Sequence, residues 1–147
     1  RGGLSNCRLT TTDGGVRTSD CTGDGANGWS MDLTEKERVV YHPRLQLGTL
    51  VFASGLPSDD ICKGGGSTFL HYVDFRDGHA LASSPGGRVA HRTAGGLAGG
   101  LQLVRLPGGA IRAIVSTMEG VVVSEAIPTP PGPSGGGKRV TWREVGF

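Results

Sequence analysis

Short runs in which large apolar residues alternate with small or polar ones recur along the chain, each ended by Gly, Pro or Asp. Gly28-Trp29-Ser30-Met31-Asp32-Leu33 has this alternation and predicts a half-buried strand. Residues 38–41 follow, stopped by His42-Pro43, and residues 49–53 predict a mostly buried strand closed by Leu56-Pro57-Ser58-Asp59-Asp60. After Lys63-Gly64-Gly65-Gly66, residues 67–74 predict another strand, and Asp77-Gly78 supplies a tight turn into a short return strand at 79–81. Residues 100–105 and 110–116 flank Leu106-Pro107-Gly108-Gly109 as a hairpin, and Met118-Glu119-Gly120 turns into 121–125. A last strand is predicted at 139–145. The best helical stretch, 33–38, is too short for more than a turn.

Strands at about ten-residue spacing predict an all-β fold of antiparallel sheets, as in a sandwich, barrel or propeller. Composition sharpens this: 27 of 147 residues are Gly, without the period of collagen, which demands many tight turns. Pro128 to Gly137 reads as a linker. The predicted organisation is therefore a polar N-terminal segment at 1–27, the β blades at 28–127, a Pro/Gly linker at 128–138 and a C-terminal strand at 139–147. Trp142 with its neighbouring Val residues predicts that this last strand docks on something.

Charge excludes little. The net charge is +2 and no block of five basic residues occurs, so no nucleic-acid partner is expected. No run of 18 apolar residues exists, so the chain is not expected to span a membrane. It begins Arg1-Gly2-Gly3, which suggests a processed product or a fragment. Cys7 and Cys21 enclose a segment rich in Thr, Ser, Asp and Gly; a disulfide between them would remove roughly 3 kcal/mol of loop entropy from the unfolded chain and needs an oxidising compartment. The alternative is three free thiols in a reducing one. Cys62 is left without an evident partner.

The succession Gly28-Trp29-Ser30-Met31-Asp32-Leu33, Glu37-Arg38-Val39-Val40, Pro43-Arg44-Leu45 and Leu50-Val51-Phe52-Ala53-Ser54 resembles the final blades of the propeller domain in type IV pilus tip-associated adhesins of the PilY family. So do Leu56-Pro57-Ser58-Asp59-Asp60-Ile61-Cys62, the Gly-rich 64–66 leading into 67–70, and Val73-Asp74. The closing Arg139-Val140-Thr141-Trp142-Arg143-Glu144 is similar to the Ser-Trp-Arg-Glu type of ending in that family. The resemblance is close over 28–77, looser over 96–125, and a short tag over 139–145. It implies a non-enzymatic protein of the extracellular space, pilus tip, cell surface or periplasm. Such a protein acts with minor pilins, or with the rest of its own adhesin chain, in pilus assembly and in adhesion to host or abiotic surfaces. The eight to ten predicted strands suffice for about two blades of a β-propeller-like domain, so a fragment of the adhesin is expected.

The family also implies a calcium loop. Asp20-Cys21-Thr22-Gly23-Asp24-Gly25 places Asp20 and Asp24 at loop positions one and five and Gly at six, but Thr22 stands at three and no acid at twelve, leaving too few ligands for a firm site. Gly132 to Lys138 has phosphate-loop spacing, but Arg139 stands where Mg²⁺ needs Ser or Thr, and no helix follows. No nucleophile elbow is present. The four His are scattered, with His71, between Leu70 and Tyr72, expected to face solvent or a neighbouring blade. Asp59-Asp60 reads as turn chemistry, and Trp29, Phe52, Phe69, Tyr72 and Trp142 as sheet packing. Two other readings compete: a segment of a quinoprotein-like propeller enzyme, which needs a cofactor cage, and a secreted carbohydrate-binding β domain, which needs exposed aromatics on one face.

Overall fold

Two stretches rich in β-branched and aromatic residues form the two longest strands of the structure, a computed structural model that describes residues 3–23, 25, 27–60 and 65–128. In chain order the described residues carry β1 (Ser5–Thr11), β2 (Val16–Thr22), β3 (Trp29–Asp32), β4 (Arg38–Val39), β5 (Arg44–Gln46), β6 (Thr49–Pro57), β7 (Gly66–Asp74), β8 (Arg88–Thr93), β9 (Ala98–Arg105), β10 (Ile111–Thr117) and β11 (Val122–Ala126), with a 3-10 turn at Pro85–Gly87. They make an eight-stranded sheet ordered β3-β1-β2-β8-β7-β6-β4, with β5 also on β6, and a three-stranded meander, β11-β10-β9. Only the β1–β3 pair is parallel. The chain is thus all-β and built from antiparallel sheets, as expected. Two sheets fit a propeller-like fragment, although they hold eight and three strands where a blade has about four.

The larger sheet curls. At ~4.8 Å per neighbour, β2 and β4 would stand roughly 19 Å apart in a flat sheet. Yet Arg17 of β2 meets Glu37, the residue before β4, at 2.7 Å. Phe52, Val73 and Val89 pack inside this curl, with Leu9, Trp29, Met31 and Leu33 against them. The outer face of β6 and β7 is covered too. Val51, Ala53, Leu70 and Tyr72 pack there on Leu101, Ile111, Ala113 and Val115 of the smaller sheet. With both faces buried, β6 and β7 lose the polar half of the alternation and read as nearly continuous apolar runs.

A bulge in β8 decides what faces where. Arg17 lies opposite Ala90, but Thr18 lies opposite Arg88, so Val89 is an extra residue at this point. The bulge turns Val89 into the curl and leaves Arg88 outside, its guanidinium 5.9 Å from the Tyr72 ring centroid.

In the N-terminal segment β1 and β2 pair as a hairpin and join the larger sheet through β8. Two expectations are corrected. Residues 79–81 form no strand; the chain turns after β7 and returns only as β8. His71 does not face solvent but is fully buried inside the curl, stacked on Phe52. The linker beyond Pro128, the C-terminal strand and Cys62 lie outside the described residues.

Candidate functional site

Inside the curl, at the end away from Trp29, four polar side chains replace apolar packing. β2 supplies Arg17, β6 supplies Ser54 and β7 supplies His71. The turn before β4 supplies Glu37, whose side chain is fully buried. The Arg17 guanidinium donates to both Glu37 oxygens, from Nη1 at 2.7 Å and from Nη2 at 3.0 Å, and its Nε donates to Thr11 Oγ1 at 3.0 Å. It lies 3.4 Å from the Phe69 ring centroid, so its flat face is covered by a π-system while each of its three nitrogens donates a hydrogen bond at the edge. Thr34 reinforces the carboxylate through Oγ1 at 2.6 Å and through its backbone N–H at 3.2 Å. Thr34 and Glu37 thus tie their own turn together while holding the charge.

Ser54 donates its hydroxyl to Glu37 Oε1 and stands 2.9 Å from His71 Nε2. With its proton committed to the carboxylate, Ser54 accepts, so the network assigns the His71 proton to Nε2. The imidazole stacks flat on Phe52 with centroids 4.4 Å apart, and its Nδ1 is buried without a hydrogen-bond partner. Burial pushes the His71 pKa down, and the Glu37 hydrogen bond opposes this only in part, with the Arg17 charge adding to the depression. Burial alone would raise the Glu37 carboxyl, but bonds from His71, Arg17, Ser54 and Thr34 hold it far below the usual carboxylate range. The site is therefore an anion, a cation and a neutral imidazole, all sealed.

Ser, His and a carboxylate together invite comparison with a nucleophilic triad, and the geometry answers it. A triad places nucleophile and carboxylate on opposite ring nitrogens, so that a proton can pass through the imidazole. Here both lie on the Nε2 side, with Glu37 Oε1 3.6 Å from that nitrogen. The arrangement holds charge in place and does not move a proton from serine to histidine.

A second polar group bridges the two sheets. Tyr72 Oη lies 3.0 Å from His91 Nδ1, and the Glu125 carboxylate of β11 closes on His91 Nε2. Burial pushes the Tyr72 hydroxyl pKa up.

At the other end of the curl the motif residues converge. The bridge Cys7–Cys21 is formed between facing residues of β1 and β2. Trp29 Nε1 donates to the Phe75 carbonyl at 2.9 Å, and Asp74 organises the turn that carries it, accepting from the Arg76 backbone at 3.0 Å and from its guanidinium at 2.8 Å and 3.0 Å. Those hydrogen bonds from Arg76 hold the Asp74 carboxyl below its ordinary value. A Cβ on Gly78 would come 2.6 Å from the Trp29 ring and 3.2 Å from Cys7 Sγ. The Gly-Trp stretch, the strand-ending Asp and the disulfide are thus one seat.

Other candidate residues scatter. Asp20 is exposed inside β2, opposite Arg8, rather than at the head of a loop, and Asp24 lies outside the described residues. Among the described residues no three His, Cys, Asp or Glu side chains cluster as metal ligands do. Asp59 pairs with Lys36 at 3.0 Å, and Asp60 N–H bonds Ser58 Oγ, a turn as expected. Phe75 is the one exposed large aromatic among the described residues, so a flat aromatic face for sugar is not assembled there. No described helix is long and apolar enough to cross a membrane.

Sequence reasoning missed Glu37 as the hub and Arg17 as its partner. The one available signal was an Arg at an inward position of an alternating stretch. Comparisons of the chain with protein-family models, curated proteins and solved structures return no match.

Proposed function

We propose that the chain is a non-enzymatic extracellular module that acts through its surface, as the C-terminal part of a PilY-type adhesin in type IV pilus assembly and adhesion. The observation that carries this reading is the Cys7–Cys21 bridge built against Trp29 and Gly78. A disulfide in a short hairpin belongs to an oxidising compartment, and its contacts are the residues of the Gly-Trp stretch on which the family resemblance rests. The sealed Ser54–His71–Glu37 group supports a module without a reaction of its own, since Ser54 and Glu37 both sit on the Nε2 side of His71.

The test is made in the producing cell. A tagged chain is expected in the surface fraction sheared off with pili, with Cys7 and Cys21 resistant to alkylation until reduced and cross-linkable to minor pilins. Deletion is expected to reduce surface pili and attachment together. A cytosolic chain with both thiols free, in cells whose piliation survives deletion, would sink the proposal.

A further inference from the structure

Charge, proline and cover are the ordinary guards of a sheet edge, and three edges of the described sheets carry them. β3 is short and exposes Asp32. β4 exposes Arg38, and His42, Pro43 and Arg44 beside it are exposed as well. Tyr41 Oη reaches across to the Ala98 carbonyl of β9 at 3.5 Å. The fourth edge is β11, at the end of the smaller sheet, and it differs. Val122 is 66% exposed and Val121, just before it, 40%, while Ser124 and Ala126 are exposed too. The one charge on the strand, Glu125, is turned inward onto His91.

The backbone of β11 is set to receive a partner. Thr117 N–H donates to the Val121 carbonyl and Ile127 N–H to the Ile111 carbonyl, both at 2.9 Å. The odd-numbered residues between them therefore bond β10 through an unbroken register. In an antiparallel ladder the alternate residues point N–H and C=O the other way. Val122, Ser124 and Ala126 thus hold theirs toward the open side. Arg112 reaches one of these groups, donating from Nη2 to the Ser124 carbonyl at 2.8 Å. A carbonyl oxygen has a second lone pair, which leaves it able to accept from a strand.

A second copy of β11 meets every requirement of that edge. With the strands antiparallel and a two-fold axis at Ser124, Ser124 faces its counterpart and Val122 faces Ala126 on both sides of the axis. Each outward N–H then meets an outward C=O. Glu125 falls opposite Val123, so no like charges face one another. The pairing uses up the edge of both copies and closes, whereas a β-branched edge left open is a template for further chains.

We propose that two copies of the chain associate by antiparallel β11–β11 pairing centred on Ser124, which joins their three-stranded sheets into one. Five residues supply few ladder bonds, so the association follows concentration and β11 is open in dilute solution. The inference does not depend on the pilus reading.

Sedimentation of the full chain over a concentration series is expected to show a reversible monomer–dimer equilibrium. Ser124→Pro removes an N–H that faces the open side, where an edge strand tolerates proline. It is expected to fold and to weaken dimerisation about ten-fold or more. Val122→Lys, which places a charge on the edge, is expected to do the same should the proline variant not fold. Val104→Lys on β9 is expected to leave the equilibrium unchanged. Register is read with Ser124→Cys in a Cys62→Ser background. Facing residues of a bonded pair stand ~5.5 Å apart at Cα, within reach of a disulfide, so mild oxidation should crosslink two copies. Gly108→Cys, in the turn before β10, should not crosslink them. A monomer at every concentration, a dimer that neither edge variant weakens, or equal crosslinking through both cysteines would each overturn the proposal.

Discussion

Arg17 is held by Glu37, Thr11 and the Phe69 ring, with 1% of its surface exposed. A buried pair of this kind adds little over an apolar replacement, but breaking it leaves a charge stranded. Glu37→Gln is therefore expected to cost about 3–5 kcal/mol in urea unfolding, whereas the double change Arg17→Met, Glu37→Leu should cost much less; equal losses would refute the assignment. The same cluster sets the acid response. His71 is depressed below its usual ~6.5, so the unfolded chain takes up a proton there that the folded chain refuses. Its contribution is complete above that value and falls as pH drops below it. Glu37 is depressed as well, so its contribution is complete above the ordinary carboxylate range and is lost as acid protonates it. Stability should thus decline from pH 7 to 5 with a slope approaching ~1.4 kcal/mol per unit. His71→Gln, whose amide also offers a donor but does not titrate, should flatten that slope in urea midpoints measured across pH. An unchanged slope would place the titrating group elsewhere.

Among the elements, turns and strands were unequally legible. β6, β7, β9, β10 and β11 followed from apolar runs between Gly, Pro and Asp, because their inward positions are filled by Val, Leu, Phe and Ile. β1 and β2 did not, since their inward face holds Cys7, Cys21 and Arg17, which a search for apolar alternation passes over. β8 was hidden by its bulge: the extra Val89 breaks the period that would have announced it. Asp77-Gly78 was read correctly as a turn, but its role as a seat for Trp29 rests on a contact far along the chain. Gly78→Ala should cost roughly 1–3 kcal/mol for its left-handed φ alone, and more for the clash with the ring, with a change in Trp29 emission. Gly86→Ala, also left-handed but facing open space, should lower stability without altering that emission; a similar emission change in both would refute the seat. Reduction of Cys7–Cys21 should lower stability by about 3 kcal/mol, read as the shift in urea midpoint between oxidised protein and a Cys7→Ser, Cys21→Ser variant.

At the scale of the whole molecule, β6 and β7 are shared property: one face belongs to the curl, the other to the core under the smaller sheet. The two sheets should therefore unfold together. In hydrogen exchange the amides of β7, central in its sheet and covered on both sides, should be the slowest, with β3 and β11 among the fastest. A separate early transition of β9–β11 would contradict this. The candidate site was illegible at this scale for a related reason. Arg17, Glu37, Ser54 and His71 come from four elements, and only the curl, which no local pattern encodes, brings them together.

The order of strands also sets a timetable. β1 and β2 precede the other strands of their sheet in chain order, yet their neighbour in the sheet is β8, with Val16 seated beside His91. Until that late strand arrives, the early hairpin has a bare edge. Contacts so distant along the chain make folding slow. The crosslink can form before any of them, since it needs only β1 and β2. It keeps the first hairpin in register while the rest of the chain is delivered, so loss of the bond should slow refolding as well as weaken the finished fold.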